Sequence, residues 1–114
     1  MNLNFKKISI IGLGLIGTSI LHAIKNKEED EVITFAYDIN PNHREIVMEL
    51  KIASFVCDDI QDAVKEADLV ILAVPVGAMK TVASLIAPFL KNNTVVTDTG
   101  STKGSVISLS LIHI

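Results

Sequence analysis

At 114 residues the chain has room for one domain with a real core, but little for a dinucleotide-binding domain with a substrate domain attached. Hydrophobic residues make up 49% and aromatics only 4%, so the apolar mass is Ile, Val, Leu and Ala, the composition of buried parallel strands under helices. Ten basic against thirteen acidic residues give a net charge of −3 without a Lys/Arg cluster, which argues against a nucleic-acid groove. Cys57 is the sole cysteine and reads as a buried packing residue; with no internal disulfide possible, the expected compartment is the reducing cytoplasm. The apolar stretch Ile8–Ile11 is broken by Gly12 and Leu69–Val76 is short, so neither reads as a signal peptide or a membrane span. No metal site is expected.

In chain order, apolar runs of strand length alternate with helical patterns, the signature of βαβ units and a parallel sheet. Lys7–Ile11 reads as the first strand. Leu15–Asn26 reads as a helix with Ile16, Ile20, Ala23 and Ile24 on its inner stripe and His22 on the surface. Val32–Tyr37 is the second strand, stopping at Asp38. Asn40 caps the next helix with Pro41 in its first position, and the helix runs to about Lys51. Ile46, Val47 and Leu50 are expected inside it and His43 in solvent. A short strand follows near Ser54–Cys57, then a helix capped by Asp58 or Asp59 and ending near Ala67. Asp59, Asp62 and Glu66 recur at helical spacing and read as a solvated face. Asp68–Val74 is apolar on both faces and therefore central. After Pro75 come a helix from Gly77 to about Leu90 and a fifth strand, Thr94–Asp98. The expected fold is a doubly wound α/β sheet of about five strands in the order 3-2-1-4-5, one domain over residues 1–114 with an atypical tail at 105–114.

Gly12-Leu13-Gly14-Leu15-Ile16-Gly17 is a GxGxxG string placed between a strand and a helix, the context that makes it specific. Gly12 permits the tight turn, Gly14 lets a pyrophosphate approach the backbone, and Gly17 lets helix and strand pack closely. Leu15 and Ile16 open the helix whose free N–H groups and dipole hold the phosphates. Asp38 follows Gly17 by about twenty residues, where a carboxylate takes the ribose hydroxyls of a Rossmann-bound dinucleotide. A 2′-phosphate 4–5 Å from that charge would be repelled by roughly 3–4 kcal/mol at an effective dielectric near 20. Ile39-Asn40-Pro41 follows Asp38 with no Arg or Lys, so the cofactor read from the sequence is NAD rather than NADP.

Three further strings stand in order behind the glycine loop: Tyr37-Asp38-Ile39-Asn40, Ala73-Val74-Pro75-Val76 and Thr97-Asp98-Thr99-Gly100-Ser101-Thr102-Lys103-Gly104. Together they resemble the prephenate/arogenate dehydrogenase family of tyrosine biosynthesis, over about residues 5–106. The D-x-G-S-x-K-G string is the discriminating one. The resemblance implies an NAD-linked oxidative decarboxylation: a hydride leaves the ring carbon that bears the hydroxyl, carbon dioxide departs, and the ring aromatises. It also implies that Ala73, Val74, Pro75 and Gly100 lie along the cofactor and that Ser101 lies at its nicotinamide end near the substrate. Read from residues alone, Ser101 serves equally as a helix cap, and Lys103 either supports an acidic substrate or is solvated.

Thr18 and Thr102 stand where that family often has Gly and Val. The family's catalytic histidine sits in a Gly-His-Pro string on a sixth strand, roughly twenty residues past the matching serine. His113 lacks that setting and is given no catalytic role. Ile107–Leu111 alternates with a strand period where the family has a helix. The expectation is therefore a cofactor-binding portion without the sixth strand or the helical C-terminal domain. It would bind NAD, take prephenate or arogenate only if the rest were supplied, and self-associate through the 94–98 edge or the tail. A free-standing non-catalytic NAD-binding module and a hydroxyacid or imine reductase are the alternatives; the D-x-G-S-x-K-G string argues against the reductase.

Overall fold

Five parallel strands form the body of the sheet in the order β3-β2-β1-β4-β5, as the alternation of runs implies. The computed structural model describes residues 5–26, 32–99 and 112–113. The strands are β1 (Lys7–Ile11), β2 (Ile33–Tyr37), β3 (Phe55–Val56), β4 (Leu69–Leu72) and β5 (Val95–Asp98). The helices are α1 (Leu15–Lys25), α2 (Pro41–Leu50), α3 (Ile60–Val64) and α4 (Val76–Ile86), with a 3-10 turn at Ala87–Phe89. β1 lies at the centre, with Ile11 level with Tyr37 of β2 on one side and Leu72 of β4 on the other.

The period-2 alternation of β1 and β4 sends side chains to two cores. One face buries Ile8, Ile10, Ala36 and Leu69 under Leu21 of α1 and Val47 of α2. The other buries Ile11, Val70, Leu72 and Val96 under Ala63 and Val64 of α3 and Ile86 of α4. Covering both faces is what a parallel sheet demands, and it explains why β4 carries no polar residue. Among the described residues no helix is long and apolar enough to cross a membrane.

The expected five-strand order holds, and a two-residue strand not foreseen, β6 (Ile112–His113), runs antiparallel along β5, pairing His113 with Val95 and Ile112 with Val96, so this stretch of the expected open edge is covered. Several other expectations are corrected. The buried residues of α1 are Gly17 and Leu21, whereas Ile16 is 52% exposed and Ala23 is also exposed. A short helix seated over a glycine contact buries a narrower stripe than its apolar count implies. α2 buries Val47 alone, leaving Ile46 and Leu50 about half exposed. Cys57 is only half-buried at the end of β3. α3 ends at Val64, and β4 stops at Leu72, two residues before the apolar run does. Gly100–Leu111, which holds Ser101, Lys103 and the alternating tail, lies outside the described residues.

Candidate functional site

The strand order reverses at β1, because the chain crosses first to β2 and later to β4. The loops leaving β1, β2 and β4 therefore diverge and leave a crevice at the carboxyl edge of the sheet. A cavity of about 810 Å³ occupies it. Gly12, Gly14, Leu15 and Ile16 line it from the first loop, Tyr37, Asp38 and Ile39 from the second, and Ala73, Val74 and Pro75 from the third. Of the described residues singled out for the cofactor, only Gly17 is not in the lining: it lies buried beneath the loop. Gly100 and Ser101 fall outside the described residues.

The three glycines have three different physical reasons. Gly12 has φ +103°, a conformation costly for any side chain, and a Cβ there would meet the Ala73 carbonyl oxygen at 2.5 Å. A Cβ on Gly17 would lie 1.8 Å from the carbonyl oxygen of Gly12, so the helix could not seat on the turn. Gly14 differs: among the described residues, its neighbours along the chain apart, nothing lies within 4 Å of the place its Cβ would take. The fold does not require a glycine there, and its open face borders the cavity.

The loop is tied to both neighbouring strands. Gly12 N–H donates to the Tyr37 carbonyl at 2.8 Å, and Ala73 N–H donates to the Ile11 carbonyl at 2.8 Å. The Thr18 hydroxyl donates to the Leu13 carbonyl at 3.2 Å, which gives this threonine a part in holding the loop. α1 begins at Leu15 behind Gly14, with no side-chain cap and no acid in its first turn. Its positive end is therefore left for an anion in the cavity. α2 and α3, by contrast, are capped by Asn40 and Asp59.

Asp38 is the electrostatic centre of the crevice. Its Oδ2 accepts from Leu13 N–H at 2.7 Å, and its Oδ1 accepts from Asn40 N–H at 2.8 Å. Nδ1 of His43 lies 3.1 Å from Oδ2. Burial pushes the carboxyl up, but the N–H groups of Asn40 and Leu13 and the His43 ring outweigh it and hold Asp38 below its ordinary value. Asp38 is therefore ionised at neutral pH. A carboxylate offers about four acceptor positions. Two backbone N–H groups take two of these and the His43 ring stands beside Oδ2, while Asp38 lines the cavity.

His43, expected in solvent, lines the cavity and is partly buried, with 41% of its side chain exposed. Arg44 is drawn in as well: its Nη1 donates to the Asp38 carbonyl at 2.8 Å, and the guanidinium lies 5.8 Å from the centroid of the Tyr37 ring. The capping signal at Asn40-Pro41 could have found both, because it sets the phase of α2 and places its first turn beside the end of β2. Ile60 of α3 and Ala78, Val82 and Leu85 of α4 add an apolar wall, and Ile11, Asn40 and Thr99 complete the lining. Among the described residues no group of three or more His, Cys, Asp or Glu could hold a metal ion.

Residues 21–110 match the family model described as the nucleotide-binding domain of prephenate dehydrogenase. The chain belongs to that family. The matched stretch begins after the glycine loop, so the loop geometry is a separate line of support. The chain is 50% identical over 103 residues to a cyclohexadienyl dehydrogenase of Zymomonas mobilis, covering 90% of this chain and 35% of that protein. It is 38% identical over 109 residues to a prephenate dehydrogenase of Lactococcus lactis, covering 92% of this chain and 29% of that protein. The chain thus spans about a third of the length of the curated relatives it matches. Among solved structures, prephenate dehydrogenase from A. aeolicus in complex with hydroxyphenyl propionate and NAD+ superposes with a TM-score of 0.78 at 26% identity, over 92% of this chain and 37% of that one. An imine reductase from Myxococcus stipitatus, at 18% identity and TM-score 0.67, shares the fold alone.

Proposed function

We propose that this chain is the NAD-binding portion of a prephenate dehydrogenase that oxidatively decarboxylates prephenate, or its amino analogue arogenate. The observation that carries the reading is Gly14, a glycine with no protein neighbour to explain it, opening onto a cavity beside an uncapped helix N-terminus. The residues present fit a dinucleotide. The first turn of α1 would bind the pyrophosphate through N–H groups. Ile39, Ile60, Val82 and Leu85 would offer apolar surface to a base, and Asp38 would meet the adenosine ribose.

NAD supplies a hydride acceptor for the substrate ring. The residues described here bind and orient it. Ala73, Val74 and Pro75 would flank it further along the sheet edge, and Ser101 would stand toward the substrate. The Asp38 carboxylate disfavours a 2′-phosphate, which supports NAD over NADP. Removing the proton from the substrate hydroxyl needs a base close to it. The cavity lining holds Asp38 and His43 at the ribose end, and neither is placed for that step.

Calorimetric titration with NAD, run beside a prephenate-dependent NADH assay, tests the proposal. We expect these 114 residues to bind NAD without turnover. Absence of NAD binding by the folded chain would sink the reading. Self-association at high concentration is expected too, since Leu15 and Ile39 stand 85% and 84% exposed at the cavity. A strictly monomeric species on sedimentation would argue against it.

A further inference from the structure

Two neighbouring hydroxyls of α1 bond back toward its start, and they do so differently. Ser19 Oγ donates to the Leu15 carbonyl at 2.8 Å, four residues back and within the helix, as serine commonly does. Thr18 Oγ1 reaches five residues back, past the helix start, to the Leu13 carbonyl at 3.2 Å. Leu13 is buried, and its N–H is held by Asp38 Oδ2 at 2.7 Å. Its two backbone groups are therefore anchored to different elements, the N–H to the end of β2 and the carbonyl to α1. The Leu13–Gly14 peptide is trans, and in a planar trans peptide the carbonyl and the following N–H point in opposite directions. Holding the Leu13 carbonyl toward Thr18 thus turns the Gly14 N–H to the other side. Among the described residues nothing accepts from that N–H. Gly14 lines the cavity, whereas Thr18 does not.

We propose that Thr18 is a positioning residue for the diphosphate of the bound nucleotide, acting through the Leu13 carbonyl to aim the Gly14 N–H into the crevice. The inference rests on the dinucleotide reading and deepens it. The first N–H groups inside α1 have no partner within the helix and are offered to an anion whatever residue stands at 18. Gly14 precedes them in extended backbone (φ −76°, ψ −156°), where no helical hydrogen bond sets the peptide plane before it. The bond to Asp38 does not set that plane either, since the Leu13 N–H belongs to the preceding peptide. The Thr18 hydroxyl supplies the missing constraint. Without it the Leu13–Gly14 plane can turn, and turning brings a carbonyl oxygen, which repels phosphate, to the side where the N–H stood. The effect is confined to ligands that carry a diphosphate, and a nucleoside does not feel it.

The probes are ADP and adenosine, titrated into the full chain by calorimetry. The readout is the ratio of their two affinities, so a general loss of folded protein or of adenosine binding cancels. Wild-type protein should favour ADP. Thr18→Val, which keeps the shape and removes the donor, should lower that preference roughly fivefold, the loss that one neutral hydrogen bond brings. Thr18→Ser should restore it, and Ser19→Ala, which removes the bond inside the helix, should leave it unchanged. Amide spectra of the wild-type chain make the test independent of how any variant folds: the Gly14 N–H resonance should move with ADP and stay still with adenosine. An unchanged ratio in folded Thr18→Val overturns the proposal. So does a shift that Thr18→Ser fails to restore or that Ser19→Ala reproduces, and so does a Gly14 resonance that ADP leaves in place. Wild-type protein that binds neither probe, or binds ADP no better than adenosine, overturns the dinucleotide reading itself, and this inference with it.

Discussion

Leu13 N–H donates to Oδ2 of Asp38 at 2.7 Å, joining the glycine loop to the end of β2 across 25 residues of chain. One side chain thereby sets both the shape of the glycine loop and the charge of the crevice. Because the bond is made to an ionised, mostly buried acceptor, it is worth more than a neutral one. Asp38→Ala should cost about 1–3 kcal/mol of stability, read as a lower urea midpoint. A shift equivalent to less than about 0.5 kcal/mol, typical of a surface substitution, would show that the loop is held by other contacts.

The glycine loop makes a prediction that separates folding from binding. Gly17→Ala forces a methyl against the Gly12 carbonyl, and Gly12→Ala combines a clash with a left-handed φ. Each should destabilise by about 3 kcal/mol or more, the range of overpacking and backbone strain combined. Gly14→Ala meets nothing, at a φ of −76° that alanine adopts freely. It should leave the thermal midpoint nearly unmoved while weakening NAD binding at least tenfold. Unimpaired binding by a folded Gly14→Ala chain would remove the pyrophosphate from that position.

Two carboxylates tie strands together and make stability depend on acid. Burial raises Asp38, but donors from Asn40, Leu13 and His43 bring it below its ordinary value. Burial likewise raises Asp68, but Lys91 and the N–H groups of Lys7 and Lys6 bring it below. A carboxyl whose folded value is depressed stabilises the fold above its unfolded value, near 3.9, and loses that contribution as pH falls through the folded value. The urea midpoint should therefore hold down to about pH 4–5 and then drop. Asp68→Asn should flatten that drop. A midpoint independent of pH down to about 3 would rule out both ties.

Cys57 is half-buried, and burial pushes its thiol up, with the charges of Asp62 and Asp58 adding to the effect. At neutral pH it should be protonated and slow to alkylate with iodoacetamide compared with a free cysteine thiol. Unfolding in urea should remove the difference. A native rate equal to that of the unfolded chain would mean that the end of β3 opens freely.

Much of this was legible along the chain, because it depends on short-range periodicity and local backbone demands. The run of β4 is hydrophobic on both faces and lies among other strand-length apolar runs alternating with helices, so a parallel sheet is their economical arrangement. Gly12, Asn40 and Pro41 dictate their own local geometry, and the observed turn and cap agree with them. Leu21 was missed because an apolar count does not show which side of α1 must pass over Gly17. β6 was missed because its pairing is with a strand well back in sequence, and two residues carry too little pattern to announce it.

What the sequence determined by itself is a dinucleotide-type crevice with an acid at the end of β2, since glycine spacing, strand and helix phase and the position of Asp38 are local or periodic properties. Only the tertiary structure decided what that acid does. His43 and Arg44 look like surface residues of a polar helix until α2 docks against the end of β2 and turns them onto Asp38. Hydrogen bonds across a sheet edge depend on how elements pack, and no reading of neighbours along the chain contains that distance.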